Sequence, residues 1–307
     1  AQSWLVVSDR QPIPIAYTLR TSFDPRPESE GKAWVAGRFE AWLGREWPVP
    51  PVATDAEAVA VRRTALDVHE RVWAYEREPA VVVEDMRTGS VRSLKVPDEI
   101  LNHYRFNRAF ESVAIVPDRM GDEIWAGMES PLTIDGPEST SDHGGISRVL
   151  IYRADSGELL RTVGYQADLL PEDWQATKAS GLEMNTLVEL TGFPDSGPDD
   201  PKFLLALERA FVSGVGNRGR VYMLDGSTRS VEGFPYPVLE KHLAFDFADL
   251  DLSRWGVRNI DNIEGMAIGP QIADRRGGRL VLVVVDDNFG RSGQIQYVYA
   301  LRVQLPR

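Results

Sequence analysis

The chain contains no cysteine, which excludes a disulfide framework, a thiolate nucleophile and any cysteine-held metal. Histidine is scarce as well: His69, His103, His143 and His242 show no metal-ligand spacing. There is no G-x-S-x-G elbow, so a serine of the α/β-hydrolase kind is unsupported, and His143-Gly144-Gly145 lacks the context of an oxyanion-hole loop. No apolar run reaches the roughly 20 residues of a membrane-spanning helix. A surplus of basic residues is also missing. With 34 Lys and Arg against 46 Asp and Glu, the net charge of −12 argues against nucleic acid or an anionic membrane as partner.

What is present suits a large folded domain. Apolar residues make up 43% of the 307, enough for an extensive core, and the acids are spread along the chain instead of gathered in a tail. No segment has the character of an interdomain linker, so residues 1–307 read as a single domain. Ala1-Gln2-Ser3 reads either as the start left by signal-peptide cleavage or as a trimmed terminus. On the first reading the protein is exported, periplasmic or extracellular. Oligomeric state is left open by the sequence.

A repeat organises the chain. Its clearest copy is Asn262-Ile263-Glu264 before a short apolar strand, then a Gly-rich turn, then the strand Leu280–Val285 closing on Asp286. Asp55-Ala56-Glu57 with Val72 to Glu76 is a second copy, and Phe110-Glu111 with Ile124 to Glu129 a third. A weaker copy has Asn185 at the first acid and Phe203 to Glu208 as its second half. Trp4 to Asp9 match the second half alone, leaving a first blade that is incomplete at its N-terminal side. Residues 55–78 are rich in Ala, Glu and Arg and have helical propensity, but the register makes them strand, turn and strand, and register takes precedence. Strands Val113–Val116, Glu123–Met128, Arg148–Tyr152 and Leu159–Tyr165 then follow one another. A short helical turn is expected at Pro171–Lys178 and an outer strand at His242–Phe247. Four antiparallel strands repeated about an axis predict an all-β fold, a β-propeller of five or six blades.

In such a blade the first strand starts, and the second ends, on the same face beside the central channel. That places Glu57, Glu111, Asn185 and Glu264 in an inner ring, with Asp9, Glu76, Glu129, Glu208 and Asp286 on the same face. Carboxylates this close repel unless a cation intervenes. A divalent ion is expected there, Ca²⁺ first because it accepts many oxygens in flexible geometry, with Mg²⁺ or Mn²⁺ as alternatives. The plainer alternative is that these acids accept backbone N–H groups in turns. Arg10, Arg77, Arg108, Arg209 and Arg258 share the face and could hold an anion, or could pair with the neighbouring acids. Glu264, Glu111 and His103 are the candidate catalytic groups, His103 as a general base on a loop.

FNRAFESVAIVPDRMGDEIWAGMESPLTIDG, FLLALERAF and DNIEGMAIGP with LVLVVVDDNF resemble the phytase-like domain family, described as esterase-like activity of phytase. The resemblance runs from Ser8-Asp9-Arg10 to Leu301. It implies a β-propeller, usually exported, that hydrolyses phosphate or other esters. Ala58 and Ser112 depart from the pattern where Gly265 keeps it, and the Gly-rich strand that usually precedes Ser-Asp is absent. Three functions are compatible: a metal-dependent esterase or phosphoesterase acting on a small anionic ester, a non-catalytic ligand- or protein-binding propeller with a structural cation, and a lactonase-type hydrolase with one central metal.

Overall fold

The computed structural model describes residues 2–8, 14–25, 37–63, 69–170, 174, 182–193, 202–255, 259–272, 277–286 and 297–304. Strands β1 (Gln2–Ser8), β2 (Ile15–Pro25) and β3 (Gly37–Pro48) pair in that order as the first sheet. The second sheet is β4 (Ala56–Arg63), β5 (His69–Tyr75), β6 (Ala80–Asp85) and β7 (Val91–Ser93). Its first two strands are the segment of helical propensity. Burial decides the conflict, because Ala58, Val72 and Ala74 are nearly or wholly enclosed by a neighbouring sheet, which a solvent-facing helix would not offer them.

A short helix α1 (Asp98–His103) follows, a feature the sequence reading does not contain. It begins after Pro97, carries Asp98 and Glu99 in its first turn where the helix dipole favours them, and buries Ile100. The third sheet is built from β8 (Phe110–Val116), β9 (Glu123–Met128), β10 (Ile146–Arg153) and β11 (Leu159–Gln166). The fourth begins with β12 (Glu183–Gly192), β13 (Leu204–Val212) and β14 (Gly216–Leu224). The chain then returns to the third sheet. Strands β15 (Thr228–Arg229) and β16 (Val238–Leu239) extend it to six, with β16 parallel to β11 through Gly164 and Val238, before β17 (His242–Asp246) closes the fourth. The fifth sheet is β18 (Asn262–Gln271), β19 (Arg279–Asp286) and β20 (Val298–Val303). The helical turn expected at Pro171–Lys178 falls outside the described residues except for Trp174.

There are thus five blades, and among the described residues they hold three, four, six, four and three strands in place of a uniform four. Five buried apolar clusters lie between them. Ala16 meets Trp73 and Tyr75 between the first and second blades, and Val81 and Val83 meet Phe110 and Leu150 between the second and third. Trp125 meets Leu187 and Tyr222, Val188 meets Ile263 and Val283, and Trp4 meets Leu280 and Leu282. The last contact joins the fifth blade to the first, so the ring closes. Close approach of blades is also written into Gly192: a Cβ there would lie 2.2 Å from the carbonyl oxygen of Ile115.

Two cavities mark the ends of the channel. The upper, about 200 Å³, meets Ser8, Glu57, Glu111 and Glu264, and the lower, about 460 Å³, meets Ser3, Arg63 and Gly192. β4 therefore runs from the acidic end to the far end, while β1 runs the other way, as the second strands of other blades do. The C-terminal strand β20 pairs with β19 in its own blade and packs Val298 and Ala300 against the cluster that holds Trp4, without joining the first sheet.

Candidate metal centre at the channel mouth

The innermost strands of four blades share one irregularity. Pairing jumps from Ala56 to Ala58 in β4, from Phe110 to Ser112 in β8, from Leu187 to Glu189 in β12 and from Ile263 to Gly265 in β18. Each jump is a β-bulge that leaves one residue out of the ladder and re-aims the chain beside it. The residues left out are Glu57, Glu111, Val188 and Glu264. Two places before each bulge, the second strand presents its partner: Glu76 opposite Asp55, Glu129 opposite Ala109, Arg209 opposite Thr186 and Asp286 opposite Asn262. The bulges therefore gather the acids of three blades at one opening.

In the fourth blade this register corrects the sequence alignment. Val188 and Arg209 occupy the places assigned to Asn185 and Glu208, because the strand that carries no acid at its bulge gave the alignment nothing to hold. Asn185 and Glu208 lie in a separate buried network. Asn185 Nδ2 donates to Glu208 Oε2 at 2.7 Å and to the Asp168 carbonyl at 3.0 Å, Tyr165 donates to Glu208 Oε1 at 2.8 Å, and Lys241 joins both acids. They do not belong to the ring. Glu189, which the sequence reading passed over inside an apolar strand, lines both channel cavities. It accepts from the Leu190 amide at 2.9 Å, and burial pushes its carboxyl well above the usual range.

Arg209 is buried and occupied. Its Nη1 donates to Asn262 Oδ1 at 2.7 Å and to Glu264, and its Nη2 donates to Glu129 Oε1 at 3.1 Å. Glu129 Oε1 also takes Arg108 Nη1 at 2.6 Å and the Thr186 hydroxyl at 3.1 Å. Glu129 Oε2, by contrast, has no hydrogen-bond partner although the residue is only 2% exposed, and Glu76 Oε1 is in the same position at 1%. Such groups cost free energy unless something compensates them. Burial first, then the charges of Glu129 and Asp55, push Glu76 up to about 8, against a hydrogen bond with Glu111 that acts downward. Glu111 is held well above the usual range by burial and then by Glu57, Glu129, Glu76 and Glu264.

Two sets of carboxylates could hold a metal ion, Asp55 with Glu57 and Glu76, and Glu76 with Glu111 and Glu129, the ligand atoms of each set lying within 4.8 Å of one another. All-oxygen donors of this kind fit a hard divalent cation, and the unpartnered oxygens of Glu76 and Glu129 belong to these sets. A sequence model of the Phytase-like family, described as "Esterase-like activity of phytase", matches residues 1–289. The chain belongs to that family. None of the curated proteins compared with it matches. Among solved structures, the endo-arabinase from Bacteroides thetaiotaomicron VPI-5482 is similar over 99% of this chain and 94% of its own, at 10% identity and a TM-score of 0.46.

The remaining expected residues of this phytase-like propeller are placed as follows. Arg77 pairs with Asp55 at 2.9 Å and Arg108 with Glu129, both at the acidic mouth, where they keep 35% and 25% of their side-chain surface. His103 ends α1 instead of riding on a loop. Its charged neighbour is Glu99, its carbonyl accepts from Thr133, and it does not line the cavity shared by Glu57, Glu111 and Glu264. Asp9, Arg10 and Arg258 lie outside the described residues. Asp286 lines the cavity beside Asn262 Nδ2, at 3.3 Å.

Proposed function

We propose that this propeller is a metal-dependent hydrolase of a small anionic ester, with a cation, Ca²⁺ in the first place, held by Glu76, Glu111 and Glu129. The observation that carries the reading is the pair of buried, unpartnered oxygens, Glu76 Oε1 and Glu129 Oε2, among acids that repel one another. A bound divalent ion would supply polarisation of the ester and a lowered pKa for water.

The chain's own groups account for the rest. Glu264, with 37% of its side-chain surface exposed, is oriented by Arg209 and Asn262 and is the candidate to take the proton from water. The water oxygen bonds to the carbon or phosphorus of the ester, the bond to the leaving oxygen breaks, and that oxygen takes a proton, giving an acid and an alcohol. Arg77 and Arg108 can donate to the substrate's negative charge from their exposed sides. Arg209 acts as a fixed counter-ion instead of a substrate ligand.

The test is metal analysis of the purified protein together with a panel of carboxylic and phosphoric esters. Turnover lost on chelation and restored by Ca²⁺ supports the proposal. Bound metal without turnover of any ester would return the protein to the reading of a binding propeller with a structural cation.

A further inference from the structure

The two cavities of the channel are parts of one bore. Leu5, Val59, Glu189, Met266 and Ala267 line both, and the lower cavity meets the innermost strand of every blade: β1 at Trp4, β4 at Val61, β8 at Ile115, β12 at Leu190 and β18 at Ile268. Below the acids the walls are therefore chiefly apolar. Leu5 and Val59 pack against the cluster between the first and second blades, Ile115 against the next and Ile268 against the one between the fourth and fifth. Each keeps part of its surface for the bore.

Charge is kept to the two ends. At the waist, burial favours the uncharged form of Glu189, which accepts from the Leu190 amide at 2.9 Å. At the far rim Arg62 is taken up by Glu70 and Asp122, at 2.9 Å each, and by Asp155 at 2.5 Å. The lower cavity, about 460 Å³, falls within the roughly 300 to 1,000 Å³ of small-molecule pockets. Water finds few hydrogen-bond partners on walls of this kind, whereas each methylene of an alkyl chain buried there favours binding about fourfold.

Resting on the hydrolase reading above, we infer that the bore holds an unbranched acyl chain, and that the ester opened at the mouth joins a fatty acid to an alcohol that carries a negative charge. The chain enters past Glu111 and Glu264 and runs down toward Ile268. That leaves the ester bond among the carboxylates and the alcohol outside, beside the exposed sides of Arg77 and Arg108. The water oxygen bonds to the acyl carbon, the bond from that carbon to the alcohol oxygen breaks, and the alcohol oxygen takes a proton. β4 descends about 13 Å between Glu57 and Val61, so an acetyl group stays at the acids and only a longer chain reaches the lower cavity.

The probes are para-acyloxybenzoates from acetyl to decanoyl, whose leaving alcohol bears a carboxylate, and uncharged straight-chain alkanols from butanol to decanol, followed by calorimetry on the full chain. The expected result is a rise of about two- to fourfold per methylene in both kcat/KM and alkanol affinity. Ala267→Phe, at a wall position shared by the two cavities, should flatten both series. Val61→Trp, at a side chain 47% exposed near the far end, should stop the rise at a shorter chain. A rise unchanged in Val61→Trp would put the chain outside the bore and overturn the inference. Turnover with no gradient in either wild-type series would also overturn it and leave the hydrolase reading standing. An alkanol gradient without turnover of any ester would uphold the chain site and overturn the hydrolase reading, and the absence of both would overturn both.

Discussion

Arg209 is the residue on which the mouth depends most. Its removal would strip buried Glu129 of one of its two guanidinium partners and Glu264 of its own, so Arg209→Ala should cost about 3 to 5 kcal/mol of stability by urea unfolding. Arg77→Ala, at a side chain 35% exposed, should cost under about 1 kcal/mol in the same measurement. Glu76 sets a pH dependence. Its carboxyl titrates at about 8 in the folded chain against 4.5 for the ordinary group. As pH rises the unfolded state therefore loses the proton first, and stability present below pH 4.5 is lost progressively up to pH 8, on the order of 5 kcal/mol. Metal-free protein should show this fall in its melting temperature, Glu76→Gln should flatten it, and saturating Ca²⁺ should oppose it.

At the scale of the element, the decisive device is the bulge in each inner strand. The sequence showed that an acid stands before a short strand in three units, and the placement of Glu57, Glu111 and Glu264 on the cavity follows from that pattern. It could not show the fourth register, because Val188 carries no chemical mark and Asn185 and Glu208 are polar residues nearby that imitate one. Nor could it show α1, whose six residues are stabilised by burying Ile100 more than by any periodicity. The bulges also explain why Ala58 and Ser112 can replace the glycine kept at Gly265: a Cβ at Gly265 meets nothing nearer than Val284 Cβ at 3.7 Å. Gly265→Ala should change stability by less than about 0.5 kcal/mol. Gly192→Ala drives a methyl against main chain and should cost about 1 to 3 kcal/mol, and a pair of thermal melts distinguishes the two.

For the whole molecule, stability is a matter of closure. Trp4 lies in the contact between the first and fifth blades, 9% exposed, with its indole N–H donated to Thr21 at 2.7 Å. Trp4→Ala should cost about 3 to 5 kcal/mol, and hydrogen exchange should show protection lost first in β1, β19 and β20 while β9 and β10 remain protected. The blades are near-copies, yet the mouth they make is not symmetrical. Where the second, third and fifth blades present Glu76, Glu129 and Asp286, the fourth presents a guanidinium that is paired with the acids of its two neighbours. Arg209, reaching from the fourth blade to Glu129 in the third and Glu264 in the fifth, thus works as a tie rod that braces three neighbouring blades across the channel's acidic end.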